Sequence, residues 1–336
     1  MKLPEIKYCP STLKAGFNSY SPAAKRALFG SRTKNIGHVL GFGSPGKDGA
    51  TTVLFNEKRK TISISGVQEK YSLLQEKNRL VLTDKRGTHI LKPIPAERLQ
   101  RTEDMPANEH VTMQIASQIF GIKTAACGMI FFDDGSPAYF TRRFDYKPDG
   151  TKYQVEDFAT LMSKSPEREG EDFKYNASYE DIARLIAKYV PAATVEMINY
   201  FRLMVFNYLF ANGDAHLKNF SLMESVQGDY LLAPAYDLLC TALHIDDADL
   251  ALRGGLYDGD MDEQPYQQYG VYTGNSFKLF AEKIGIRNTI AADILHEAIK
   301  LIPSSLEMIE RSFLSEGAKK KYAAIVHDRQ KRLMIL

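Results

Sequence analysis

The chain has 336 residues, 44% hydrophobic and 25% charged, with a formal net charge of +2, the balance of an ordinary globular protein with a sizeable core. That near-neutrality excludes a global drive toward nucleic acid or an anionic membrane surface, so strong direct nucleic-acid binding is not expected. Three widely separated cysteines, Cys9, Cys127 and Cys240, exclude a disulfide framework and a Cys-x-x-Cys metal site. No apolar run is long enough to span a bilayer and the N-terminus lacks a signal-peptide core, so a cytoplasmic location without membrane contact is expected.

In chain order, Ser21 to Gly30 predicts a short helix, with Ser21 as cap, Pro22 at its first position and Gly30 as its stop. The stretch Gly41 to Lys47 matches G-x-G-x-x-G. However, the position after Lys47 is Asp48 where a P-loop needs a hydroxyl for Mg²⁺, and a strand-like run follows instead of a helix, so a surface loop is expected. Thr51 to Phe55, Thr61 to Ile64, Tyr71 to Leu74, Arg79 to Thr83 and Thr88 to Leu91 then read as a β-meander. The polar connection Ser63-Ile-Ser-Gly-Val-Gln-Glu-Lys70 joins two of these strands and can lay backbone N–H groups on phosphate. Lys92 ends the fifth strand, where a lysine directed at a cleft can bind phosphate.

An amphipathic helix runs from Asn108 to Phe120 and closes at Gly121. Glu109 in its first turn is read either as a partner of Lys92 or as a surface glutamate favoured by the helix dipole. Cys127 to Phe132 and Pro137 to Phe144 predict a hairpin across Asp133-Asp134-Gly135-Ser136. From about residue 150 the character becomes helical. The predicted helices are Glu156–Met162, Ser178–Val190, Val195–Phe210, Ser276–Ile284, Ile290–Leu301 and Gly317–Leu333, with Ser178 and Ser276 as caps. His244 to Asn275 reads as an ordered loop, and its Asp246, Asp247 and Asp249 do not follow the EF-hand pattern.

The stretch with the densest chemistry is Ala211-Asn-Gly-Asp-Ala-His-Leu-Lys-Asn219, which follows the apolar helix. Asn212-Gly213 is expected to end that helix by adopting positive φ. Phe220 to Met223 and Tyr230 to Leu232 then form a hairpin that returns at Pro234-Ala-Tyr-Asp237. Asp214 precedes Asn219 by five residues, and Asp237 supplies a second carboxylate further on. Protein kinases use this spacing, because phosphoryl transfer needs a carboxylate to take the hydroxyl proton and hard oxygen ligands to hold Mg²⁺.

Asn212 to Ser221, together with Pro234-Ala-Tyr-Asp-Leu-Leu239, resembles the signature of the HipA-like serine/threonine kinases of bacterial toxin–antitoxin systems. The resemblance extends to Ser63–Lys70, His89-Ile-Leu-Lys92-Pro, Asn108-Glu-His and Arg142-Arg-Phe-Asp145. It implies an α+β, bilobed kinase-like fold, with a β-rich lobe over residues 1–145, a helical lobe over 146–336 and the site at their junction. It implies ATP and Mg²⁺ as cofactors, Asp214 as catalytic base, and His216 and Lys218 beside the transferred phosphoryl group. Asn219 and Asp237 are the implied metal ligands and Lys92 the phosphate lysine. Ser65, Gly66, Val67, Gln68, Glu69 and Lys70 would cradle phosphate, and Arg142, Arg143 and Phe144 would hold adenine. Autophosphorylation is implied at Ser63 and Ser65.

The phosphate loop begins at residue 63, early for the long form of the family, and carries a doubled serine. Both features resemble the short HipT type, which implies a HipB-like DNA-binding partner, a HipS-like small partner and an aminoacyl-tRNA synthetase as the protein substrate. A small-molecule or lipid kinase, or a non-catalytic partner of a transcription factor, are the alternatives.

Overall fold

The structure is a computed structural model that describes residues 3–30, 35–45, 69–97, 99–147 and 149–336. The two strands expected at Thr51–Phe55 and Thr61–Ile64, and residues 63–68 of the phosphate loop, lie outside the described residues. The chain divides into two compact units.

Unit 1 comprises residues 1–115, 125–144 and 307–319. Helix α1, Pro22–Phe29, starts as expected: the Ser21 side chain accepts from the Ala24 amide and Gly30 closes the helix at φ 73°. Strands β1 (Tyr71–Glu76), β2 (Arg79–Leu82) and β3 (His89–Pro93) follow. Helix α2 (Met105–Gln118) comes next, and belongs to this unit as far as Ile115. Then come β4 (Cys127–Phe131) and β5 (Pro137–Arg142). They form an antiparallel five-stranded sheet in the order β2-β1-β3-β5-β4.

Alternation along β3 decides what each face of this sheet does. His89 and Leu91 face the apolar core built from Phe29, Leu28 and Phe140. The His89 ring bonds to the Leu28 carbonyl at 2.9 Å, and burial pushes the ring down to about 4. Ile90 and Lys92 take the opposite face. Helix α2 starts at Met105, about one turn before the expected Asn108, so Glu109 lies in its second turn and away from the exposed amides.

Unit 2 comprises residues 116–124, 145–306 and 320–336. Its first segment departs from expectation. Glu156–Met162 is not one helix: β6 (Val155–Asp157) pairs with the later hairpin, and Asp157 then caps the single turn α3 (Phe158–Leu161). The one-turn helix α4 (Pro166–Glu169) and a 3-10 turn, Glu171–Tyr175, follow. Helix α5, Tyr179–Tyr189, is held by a capping box between Ser178 and Asp181. Helix α6, Ala193–Leu209, is buried around most of its last three turns. Strands β7 (Ser221–Glu224) and β8 (Tyr230–Leu232) complete a three-stranded sheet with β6.

The stretch expected as a loop contains α7, Gln264–Tyr269. Helix α8 (Gly274–Lys283) is capped by Thr273, while Ser276, the residue expected to cap it, is the third-position partner of that box. Helices α9 (Asn288–Lys300) and α11 (Glu316–Leu333) lie where periodicity placed them. Helix α10, Ile302–Glu310, was not expected; its Pro303 sits in the first turn, where the missing N–H has no helical partner to lose.

Candidate active site

In unit 1, Lys92 Nζ lies 2.6 Å from Glu109 Oε1, with only 4% and 1% of the two side chains exposed. This settles the open reading of Glu109: it is the lysine's partner. Lys92 stands opposite Tyr139 in the sheet register, with its ammonium 5.5 Å from that ring's centroid. A buried charge pair of this kind holds its geometry because separating either member leaves an uncompensated charge in a low-dielectric interior. The other residues expected around a nucleotide are placed as follows. Glu69 accepts a hydrogen bond from the Tyr71 hydroxyl at 2.6 Å, and Lys70 immediately precedes β1. Arg142 donates to the Ala27 carbonyl at 3.0 Å, against the end of α1. The Arg143 amide donates to the Thr88 carbonyl at 2.9 Å, and Phe144 is the last residue of the unit 1 segment 125–144.

In unit 2 the loop after α6 is assembled by backbone and hydroxyl contacts. Asn212 folds back on Asn207, its amide on the carbonyl at 2.8 Å and its side chain on the side-chain oxygen at 3.0 Å. The left-handed residue at the helix end is Ala211, at φ 49°, and not the expected Asn212-Gly213 pair. Gly213 is required for space: a Cβ there would lie 2.5 Å from Asp247 Oδ2 and 2.6 Å from the Ala248 carbonyl. Thr241 secures both residues, its amide and hydroxyl donating to Ala211 O and its hydroxyl accepting from the Gly213 amide at 2.8 Å.

The functional side chains leave this frame in a fixed order. Asp214 accepts from the Tyr175 hydroxyl at 2.8 Å, with 44% of its side chain exposed. His216 Nε2 stands 4.0 Å from Asp214 Oδ2, and the Tyr175 ring meets the His216 ring edge-on at 5.4 Å. Lys218 lies 3.8 Å from Asp157 and over the Phe173 ring. Tyr236 ties the returning strand to the same loop, with its hydroxyl at 2.6 Å from Ser221 Oγ and 2.9 Å from the Lys218 carbonyl. The next residue, Asp237, is held at φ 54°. A left-handed aspartate costs about 1 kcal/mol, and such strain gathers at functional sites. Asp214, His216, Lys218 and Asn219 share one loop, which Tyr236 ties to the segment after β8 that carries Asp237.

Asn219 Oδ1 is buried and makes no hydrogen bond. Its natural complement is a donor or a hard cation, so the Asn219 oxygen has the chemistry of an Mg²⁺ ligand. Among the described residues no group of three or more His, Cys, Asp or Glu side chains could hold a metal ion. A cation here would thus depend on phosphate and water oxygens as well, which is how Mg²⁺ is commonly held.

Sequence reasoning missed Tyr175, Asp157 and Thr241, and read Asp247 only as part of an ordered loop. Asp157 had a signal in its capping position before Phe158-Ala-Thr. The other three reach the loop only through folding.

A β-sheet part followed by a helical part, with a buried lysine–glutamate pair in the first and this loop in the second, is a kinase-like α+β fold. The solved structures agree on the fold. The HipA chain of the Shewanella oneidensis HipA, HipB and operator DNA complex superposes with a TM-score of 0.63 at 20% identity, covering 88% of this chain and 74% of that one. The Helicobacter pylori proinflammatory kinase CtkA superposes with a TM-score of 0.53 at 16% identity, covering 81% and 90%.

The HipA-like C-terminal domain model matches residues 62–306, and the chain belongs to that family. A Haemophilus influenzae protein named "Putative kinase" is 27% identical over 77% of this chain and 78% of its own length. Two Sinorhizobium fredii proteins with similar names are 31% and 28% identical over 56% and 69% of this chain, and the matches span about half of their lengths. No helix among the described residues is long and apolar enough to cross a membrane.

Proposed function

We propose that this chain is an ATP- and Mg²⁺-dependent serine/threonine protein kinase of the short HipA, or HipT, type. The observation that carries the reading is the loop in which Asp214 and Asn219 are held five residues apart, with the Asn219 oxygen buried and hydrogen-bonded to nothing. Asp214 accepts the proton of a serine or threonine hydroxyl as that oxygen bonds to the γ-phosphorus and the bond to ADP breaks. Asn219 and Asp237 hold the metal, which when bound neutralises charge on the phosphate oxygens. Lys92, aligned by Glu109, binds phosphate, and His216 and Lys218 flank the transferred group.

Residues 65–70 cradle phosphate and Arg142 to Phe144 border the base in this reading. The doubled serine of Ser63-Ile-Ser65 supports the HipT assignment, and we propose autophosphorylation at those serines. A phosphate adds a charge of about −1.5 to −2 where the nucleotide's own phosphates would sit, and so opposes ATP binding.

For partners we propose a HipB-like DNA-binding protein and a HipS-like small protein in a cytoplasmic complex. For target we propose an aminoacyl-tRNA synthetase, whose modification stops translation. Labelled ATP and Mg²⁺ added with the purified chain to a bacterial lysate should mark a synthetase, and extra copies of that synthetase should restore growth to cells expressing the kinase. Label on a lipid or small molecule, or nucleotide binding without any transfer, would replace this reading with the corresponding alternative.

A further inference from the structure

Tyr175 reaches Asp214 from 39 residues upstream, and its segment is also anchored by contacts outside the loop it touches. The Tyr175 carbonyl accepts from the Arg253 amide at 2.9 Å, and the Ala177 carbonyl accepts from the Gly254 amide at 3.0 Å. The Arg253 guanidinium spans Asn176 at 2.8 Å and Asp172 at 2.6 Å. Gly254 has no room for a side chain, since a Cβ would lie 2.9 Å from the Ala177 carbonyl. One residue further on, the Ser178–Asp181 capping box fixes the start of α5. The tyrosine ring is therefore carried by a short turn clamped at both ends.

We infer that Tyr175 is a positioning residue for phosphoryl transfer: it donates its hydroxyl hydrogen to Oδ1 of Asp214 and fixes the plane of the carboxylate that receives the proton of the acceptor. The inference rests on the kinase reading above. Tyr175 Oη to Asp214 Oδ1 is 2.8 Å, and the same ring packs edge-on against His216. Among the described residues, Tyr175 from the 171–175 turn and His216 from its own loop lie against Asp214, and Tyr179 from α5 and Asp247 from the segment after Thr241 feel its charge.

Burial, then the charge of Asp214, push the Tyr175 hydroxyl well above the ordinary phenol range. It therefore keeps its proton and remains a donor at any working pH. Burial, and to a smaller extent the charge of Asp214, push Asp247 up. A donated hydrogen bond stabilises the carboxylate form and lowers its pKa.

Tyr175→Phe keeps the ring edge and removes only the donor. With MgATP as the probe, and water or the chain itself as acceptor, kcat should fall about tenfold while KM for ATP stays within about twofold. The acid limb of the rate profile should move up by about half to one pH unit. The Asp214 carboxyl carbon, assigned by its loss in Asp214→Asn, should titrate higher by the same amount in ¹³C-labelled full-length protein. An unchanged Asp214 titration in Tyr175→Phe overturns the inference, whatever happens to the rate. If the titration moves but kcat and the acid limb do not, the positioning role is also overturned while the kinase reading stands. Wild-type turnover by Asp214→Asn removes the assignment of Asp214 as base, and the inference with it, whereas absence of any phosphoryl transfer by the wild-type chain removes the kinase reading itself.

Discussion

The two halves of the proposed chemistry are built in opposite ways. Lys92 and Glu109 are sealed against solvent at 4% and 1% exposure, on a strand and a helix, and satisfy one another at 2.6 Å. Asp214 is 44% exposed, on a loop, and its orientation depends on Tyr175 and on the backbone ties through Thr241. A phosphate-binding cation gains from a fixed position in low dielectric, and the fold can afford to bury it because its counter-charge is buried with it. A proton acceptor must be reached by a bulky protein substrate, so it stays near water and is aligned by hydrogen bonds instead. Rigidity thus comes from charge pairing in one place and from converging loops in the other.

The contrast can be tested by removing each support. Asp214→Asn should lower phosphoryl transfer by roughly 10²–10⁴-fold with little change in Tm, because the side chain is half exposed; labelled-ATP kinetics beside a melting curve checks both. Glu109→Ala should do the reverse to stability, since it strands Lys92 in the interior and should cost about 3–5 kcal/mol by denaturant unfolding. Exchanging both members for apolar residues should cost much less stability while still ending transfer. A stable Glu109→Ala protein would show that the pair is solvated.

Acid should weaken unit 1 through two histidines. Burial holds both His89 and His110 at about 4, below the ordinary value of 6.5. The unfolded chain therefore binds protons that the folded chain refuses, and this contribution is intact above about pH 6.5 and lost as pH falls toward 4. On the order of 2–3 kcal/mol per ring is at stake by pH 4, and hydrogen exchange resolved by peptide should show the strands of unit 1 opening first. His110→Gln should flatten that dependence.

Asp237→Asn should weaken nucleotide affinity in Mg²⁺ far more than in its absence, since it removes a charged ligand and leaves the fold intact; titration calorimetry with and without the ion reads the difference. The smallest expected effect is at Gly213. Gly213→Ala meets Asp247 and the Ala248 carbonyl and should cost about 1–3 kcal/mol, with a fall in activity from displacement of Asp214. Because φ at Gly213 is not in the left-handed region, an Asp247→Ala background should recover part of that loss.

Local signals carried much of the fold. Period-two and helical runs located β1–β5, β7, β8, α5, α6 and α9, because apolar spacing and flanking turn residues are local properties of the chain. The caps Ser178 and Ser21 were legible for the same reason, since an N-cap hydrogen bond spans three residues. The candidate loop was visible because Asp214, Asn219 and Asp237 are closely spaced in the chain. Local rules failed where distant chain decided the outcome. Residues 156–162 read as helix because nothing nearby revealed that Glu156 and Asp157 would pair with β7.

The amino-acid sequence by itself determined which residue types stand ready for phosphoryl transfer and in what order, since motif spacing and residue chemistry are properties of the chain. Only the tertiary structure decided that Glu109 pairs with Lys92, that Gly213 serves close packing, and that Tyr175 and Thr241 secure the loop. Each of those contacts joins residues 17 or more positions apart or depends on a neighbour's volume, and neither distance in space nor available room is written in local pattern.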